Sequence, residues 1–160
     1  MRDTTPSNVS KNMRKLARKR NNSNIVWQRE IMAGNSAMGK NLLFTAYDHY
    51  KQSLNIAKKT FLANKHASKV SDSLIPAIVI SYLNICDLWG KQNKVMARKG
   101  YLCEAFDYLV SQIQEPNLNG ELQQQIRGGL GKIYVEMIGC LNGAEDRELL
   151  TARKQVLMTL

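Results

Sequence analysis

From position 25 onward, large apolar residues return every three or four positions rather than every second one, and the runs end at glycine, proline or asparagine. That spacing marks amphipathic helices, and no stretch alternates in the manner of a strand. A first helix is expected over 25–38, ending at Gly39, with Trp27, Ile31, Gly34 and Met38 along one stripe. A second is expected over 41–63, with Leu43, Ala46, Tyr47, Tyr50, Leu54, Ala57 and Phe61 facing inward and Asp48, Lys51, Gln52, Asn55 and Lys59 facing water. After a polar link over 64–71, the third runs about 73–90, with Ser71 to Ser73 as capping residues and Pro76 in the first turn. It is apolar nearly all round, so it is expected at the centre. Gly90 to Asn93 breaks it. A fourth over 94–114 stops at Glu115-Pro116-Asn117, a fifth over 119–141 stops at Asn142-Gly143, and a sixth over 144–158 caps the end. Short links between such helices favour antiparallel hairpins.

The first 23 residues do not follow this pattern. Their large apolar residues are Val9, Met13 and Leu16, which share one helical face, with Ser7 or Ser10 as N-cap. Three such side chains do not offset the cost of ordering the segment. Residues 1–23 are therefore expected as a flexible arm that becomes helical on a partner, hinged at Asn21 to Asn24, with residues 24–160 as the helical domain.

Charge sharpens the division. The chain of 160 residues carries 23 basic and 13 acidic groups, a net +10. Seven of the basic residues and one acid lie in 1–23, so the arm carries +6 and the remainder only +4. Cys86, Cys103 and Cys140 sit within apolar helical patterns, which favours buried free thiols in a reducing compartment over a disulfide framework. Two histidines complete no metal-ligand spacing, so neither metal nor cofactor is expected. The run from Leu74 to Trp89 is too short and too polar to span a bilayer. No apolar segment follows the basic start, which favours a soluble cytoplasmic protein over a secreted one, with an organellar transit peptide as the lesser reading. Gly128-Gly129-Leu130-Gly131 follows no strand and lacks a Lys-Ser/Thr, so it reads as close helix packing rather than a phosphate loop. His49 beside Asp48 and Cys103 beside Glu104 are neighbours that diverge on a helix, so no catalytic dyad is read and no enzyme is expected.

Gly34, Ala46, Tyr50 and Ser53, followed by Leu54, have the spacing of small and aromatic residues that lets two helices of a hairpin cross closely and the next hairpin stack on them. In this the chain resembles the tetratricopeptide repeat (TPR). Ala33 and Ala37 stand where that motif prefers leucine and tyrosine. A second unit has Tyr82, Ile85, Cys86 and Trp89, then Ala105-Phe106, with Arg98 where a small residue belongs. A third has Leu130-Gly131 and Tyr134, with Arg147 where an aromatic belongs. The offsets, 52 residues from Gly34 to Cys86 and 45 from Cys86 to Gly131, exceed the usual repeat of about 34. The same residues also suit a six-helix bundle with small residues at its crossings.

The resemblance, which covers about 24–157, implies an all-α, TPR-like stack of three antiparallel hairpins with a capping C-terminal helix. Its concave wall would be lined by the first helix of each hairpin. Asn35 and Asn84 fall where related repeat domains hold a partner's backbone or carboxylate, although Ile31 occupies a position where such domains carry a clamp lysine. Asn35, Met38, Asn84, Asp87 and Lys91 are the expected peptide-contacting residues. Lys11, Arg14, Lys15, Arg18, Lys19 and Arg20 of the arm, with Lys58, Lys59, Lys65, Lys69, Lys94, Arg98 and Lys99 near hairpin ends, are the candidates for phosphates or an acidic partner. No acid occurs over 49–71, and both body clusters are expected at corresponding hairpin ends, on a face shared with the arm. The expected function is a non-enzymatic protein-interaction module taking a peptide or helix in its groove. The alternative is a nucleic-acid- or ribosome-associated factor, and edge helices leave a homodimer open.

Overall fold

The computed structural model of the chain describes residues 8–160, and the side chains of all of these but 8–11, 13, 16 and 20. Six helices follow one another, α1 (Asn8–Gly39), α2 (Leu43–Asn64), α3 (Leu74–Lys91), α4 (Val95–Ile113), α5 (Gly120–Cys140) and α6 (Ala144–Thr159), with no strand among the described residues. Each packs antiparallel on its sequence neighbours. The odd-numbered helices also approach one another, α3 on α5 broadly and α1 on α3 narrowly, whereas α2 and α4 are held apart. Closer odd helices and splayed even helices leave a face formed by α1, α3 and α5 on the inner side of the stack.

Five helices match their expected bounds to within two residues, and the first does not. α1 starts at Asn8 and passes unbroken through Asn21 to Asn24, where a hinge was expected. Asparagine is a poor helix former by only tenths of a kcal/mol, and a helix already anchored by packing at Trp27 extends through such residues. Ser7 lies outside the described residues, and the side chains of Val9, Met13 and Leu16 lie outside those described. Ser73 takes the N-cap position of α3 without a side-chain capping bond, while Asn119 caps α5 by accepting the Glu121 N–H at 2.8 Å.

The turns after α1 and α3 are copies. Asn41 and Asn93 both adopt left-handed backbone, with φ of 58° and 54°. The following N–H groups, of Leu42 and Lys94, each donate back to the carbonyls of Ala37 and Trp89 at 2.9 Å. This is the Schellman arrangement, in which asparagine substitutes for the usual glycine because its side chain tolerates positive φ.

The core draws on all of α2 to α5, and α3 is buried on every side but one. By length and apolar content α3 also suffices to cross a membrane, yet half of it is buried by its neighbours here. α1 joins the core through small residues. A Cβ on Gly34 would lie 2.4 Å from Tyr50 Cε1, so only hydrogen lets the Tyr50 ring seat against α1. In α5 the close approach falls on Gly129 rather than Gly131. A Cβ there would sit 3.0 Å from Ile75 Cγ2 and 3.1 Å from Val79 Cγ2, whereas Gly131 faces open space. Arg98, standing where a small residue was expected, is accommodated because Gly90 opposite lacks a side chain; a Cβ there would be 3.1 Å from Arg98 Nη1.

Two polar side chains, Ser53 and Ser81, are wholly buried. Ser81 Oγ accepts from Trp27 Nε1 at 2.9 Å and from Ser53 Oγ at 3.0 Å, and itself donates to the Ala77 carbonyl at 2.8 Å. One hydroxyl thus joins α1, α2 and α3. Ser81→Ala leaves the Trp27 indole N–H without its acceptor, while Ser53 keeps the Tyr50 carbonyl at 2.8 Å, and is expected to cost about 1–3 kcal/mol. Gly34→Ala, which drives a methyl into the Tyr50 ring, is expected to cost about as much. Chemical denaturation read by circular dichroism checks both.

Candidate functional site

α3 is wrapped by α2 and α4 on its flanks and by α1 and α5 beside its inner face, so its free surface reduces to one line. Ile80, Asn84, Asp87 and Lys91 occupy it at helical spacing: Asp87 and Lys91 are exposed, Ile80 is 41% exposed, and Asn84 is half-buried. Gln28, Ile31, Asn35 and Met38 border this line on the side of α1 that reaches α3 through Trp27. On the other side, α5 meets α3 at Gly129 and presents exposed Gly128 and Lys132 beside that contact. The five expected peptide-contacting residues therefore fall on two adjacent helices of one face.

At its centre is a polar node. The Tyr50 hydroxyl donates to Asn35 Oδ1 at 2.8 Å. Burial, and secondarily the Asp87 carboxylate, raise the Tyr50 pKa above its usual value, so this hydroxyl keeps its proton and its role as donor. With its oxygen engaged, the Asn35 amide has its NH2 group left to offer, and the Asp87 carboxylate nearby supplies an acceptor. A surface that offers one fixed donor, one acceptor, a lysine and short apolar stretches suits the backbone and side chains of a polypeptide.

The basic candidates divide. Arg14, Lys15, Arg18 and Lys19 are exposed on the N-terminal half of α1, and the side chains of Lys11 and Arg20 lie outside those described. Lys59, Lys69 and Lys94 are exposed on the body. Lys58, Lys65, Arg98 and Lys99 are half-buried and meet acidic partners. Lys58 lies 3.4 Å from Glu104 and sits over the rings of Tyr82 and Tyr108, at 4.8 and 4.5 Å from their centroids. Lys65 is paired with Glu115, Arg98 with Glu136 at 3.7 Å, and Lys99 with Asp146. The acid-free stretch of sequence thus meets Glu104 of α4 and Glu115 of the turn that follows it. The two body clusters also lie at opposite ends of the stack. Antiparallel packing puts Lys65 and Lys69 at the end where α1 begins, and Lys91, Lys94, Arg98 and Lys99 at the end where α1 finishes. Only the first cluster shares its end with the arm.

Sequence reading missed three features. A cleft of about 430 Å³ separates α2 from α4, lined by Asp48, Lys51, Gln52, Leu54, Asn55, Lys58 and Glu104. The Tyr47 and Tyr101 hydroxyls meet beside it at 2.6 Å. A small cavity of about 70 Å³, rimmed by Asn21, Ser23, Asn24, Ser71 and Ser73, lies where α1 passes the start of α3. His49 Nδ1 lies 2.7 Å from Glu30 Oε2, tying α2 to α1 and not to Asp48. Burial pushes the Cys86 thiol up to about 12 and raises Cys140, so both stay protonated at neutral pH. Among the described residues no His/Cys/Asp/Glu cluster has the makings of a metal site.

α6 contributes no buried residue. Half-buried Leu149, Leu150, Val156 and Leu157 pack it on the core, and polar ties add to them: Arg153 to Asp107 at 2.7 Å, Asp146 to Lys99, and the Tyr134 hydroxyl to the Leu150 carbonyl at 3.3 Å. Lys99 and then the Gly143 N–H hold the Asp146 carboxyl below the usual carboxylate range. A depressed carboxyl stabilises the fold above its unfolded pKa, and that contribution is lost as pH falls through the folded value. Amide exchange of α6 is expected to quicken, relative to α3, on acidification through that range, and Asp146→Asn is expected to quicken it already at neutral pH.

Residues 25–155 match the model of a family described as protein of unknown function, DUF2753. No curated protein matches the chain. No solved structure matches it.

Proposed function

The chain belongs to the DUF2753 family, and from that premise we propose that it is a non-enzymatic protein-interaction module, taking a peptide or helix of another protein along the inner face of α1, α3 and α5. The observation that carries this reading is the free line of α3. A helix otherwise enclosed by apolar packing keeps Asn84, Asp87 and Lys91 on its one open side, beside an Asn35 amide held in a single orientation by Tyr50. Fixed donors and acceptors lose little freedom on binding, which favours recognition of an extended or helical backbone. The TPR-like spacing around Gly34 and Tyr50 supports the same reading, since such stacks bind on the inner face of their first helices. In the cytoplasm such a module acts as an adaptor.

A photo-crosslinking side chain at position 80 is expected to capture a partner that the same group at Asn55, on the outer side of α2, does not. Fluorescence titration with the captured segment is expected to show Asn35→Ala/Asn84→Ala binding it about ten- to a hundredfold more weakly, the effect of two lost hydrogen bonds. Equal capture at both positions refutes the reading.

A second reading, a nucleic-acid- or ribosome-associated factor, is favoured by one observation: Arg14, Lys15, Arg18 and Lys19 stand exposed on a helix that runs on from the body, on adjacent turns and with no acid among them. Phosphate contacts of this kind give a logarithmic salt dependence of about 0.7 to 0.9 per phosphate neutralised. Deleting residues 1–23 is expected to abolish RNA retention and its salt dependence. Retention that survives the deletion removes this reading.

A further inference from the structure

The copied turns after α1 and α3 share more than their backbone. Each starts the following helix with bulky apolar side chains that nothing covers: Leu42 and Phe44 after the first, Val95 and Met96 after the second. Phe44 and Met96 occupy equivalent positions three residues past the left-handed asparagine, and they are 88% and 76% exposed. Both turns lie at the same end of the stack, because α1 and α3 run in the same direction. Exposed lysines flank them, Lys40 at the first and Lys91 and Lys94 at the second. The third turn at this end differs. It presents Asn142, Gly143, Ala144 and Glu145, all exposed and none of them large and apolar.

We propose that this end of the molecule docks on an anionic lipid surface, with Phe44 and Met96 inserted among the headgroups and Lys40, Lys91 and Lys94 on their phosphates. Phe44 and Met96 protrude from their turns, whereas Val95 borders a hollow of about 150 Å³ shared with Gly90, Arg98 and Leu141. A protein partner would need a separate pocket for each, whereas the interfacial zone of a bilayer accepts protruding apolar side chains without matching their shape. The flanking lysines supply charge complementarity, since their stems lie along apolar surface while their ammonium groups stay at headgroup level. The acidic third turn keeps the contact to the first two hairpins and tilts the stack on the surface. The contact is peripheral, with no helix crossing the membrane. It shares Lys91 with the inner face of α1, α3 and α5 and leaves Asn35, Asn84 and Asp87 of that face free.

The basic N-terminal half of α1 also attracts anionic vesicles but lies at the opposite end, so the test separates the two. The full chain is sedimented with phosphatidylcholine vesicles with and without phosphatidylglycerol, beside Phe44→Ser/Met96→Ser, Lys91→Glu/Lys94→Glu and a variant with Arg14, Lys15, Arg18 and Lys19 changed to glutamine. The chain is expected to sediment with phosphatidylglycerol vesicles, with at least a tenfold loss in each turn variant and a smaller loss in the glutamine variant. Unchanged circular dichroism is expected for the turn variants, whose altered side chains touch little of the core. No sedimentation of the full chain overturns the proposal. So does sedimentation that the turn variants retain and the glutamine variant loses. A dimer in solution that Phe44→Ser/Met96→Ser converts to monomer also overturns it, since the patch is then a contact between copies.

Discussion

A helix that is apolar nearly all round is stable in water only when other helices enclose it, and α3 imposes that requirement on the whole chain. α2 and α4 cover its flanks, α5 closes on it at Gly129, and α1 reaches it through the Trp27 indole. The one line left open is the line with polar residues. Close approach rests on a glycine at three crossings: Gly34 of α1 beneath the Tyr50 ring of α2, Gly129 of α5 beneath Ile75 and Val79 of α3, and Gly90 of α3 itself beneath the Arg98 guanidinium of α4. Burial on this scale is the main source of stability in a domain of this size, at roughly 25 cal/mol per Å² of apolar surface. The positions of α1, α2, α4 and α5 follow from it.

Much of the architecture was legible because its punctuation is strong. Gly39, Gly90 to Asn93, Pro116 and Asn142-Gly143 punctuate the helical pattern, and the bounds of α2 to α6 follow within two residues. What was not legible depends on distance or on rotational phase. The run Asn21 to Asn24 looks like a break because asparagine is a weak helix former, but packing at Trp27 outweighs a preference of that size. Which glycine of Gly128, Gly129 and Gly131 meets α3 depends on a rotation of one or two residues about the α5 axis. A single sequence does not set that phase, and the structure selects Gly129.

For the inner face, helical spacing was enough to place Asn84, Asp87 and Lys91 in line, because α3 is regular from end to end. The hold of Tyr50 on Asn35 joins residues on two helices, and no local pattern announces it. The ion pairs of the basic clusters were hidden for the same reason. Lys65 and Lys99 look unpaired along the chain, yet Glu115 arrives from the turn after α4 and Asp146 from α6. Net charge along a sequence measures local composition, while the field at a surface depends on which helices meet there. The copied turns at Asn41 and Asn93 are the reverse case, a repeat visible at a spacing of 52 residues once the left-handed asparagines mark it.

The continuity of α1 gives the positive charge a geometry that a tether would lack. Residues 8–20 extend the helix by about 20 Å before it meets the body at Asn21. On a flexible chain the arginines and lysines would sample a volume, and their effect on anything held by the inner face would average over it. On a helix they stand at a fixed distance and azimuth from Trp27 and the pin it forms with Ser81. The arm then works as a ruler: a bound molecule can satisfy both ends only if its own charges lie at the matching separation. Length becomes a criterion of recognition alongside charge.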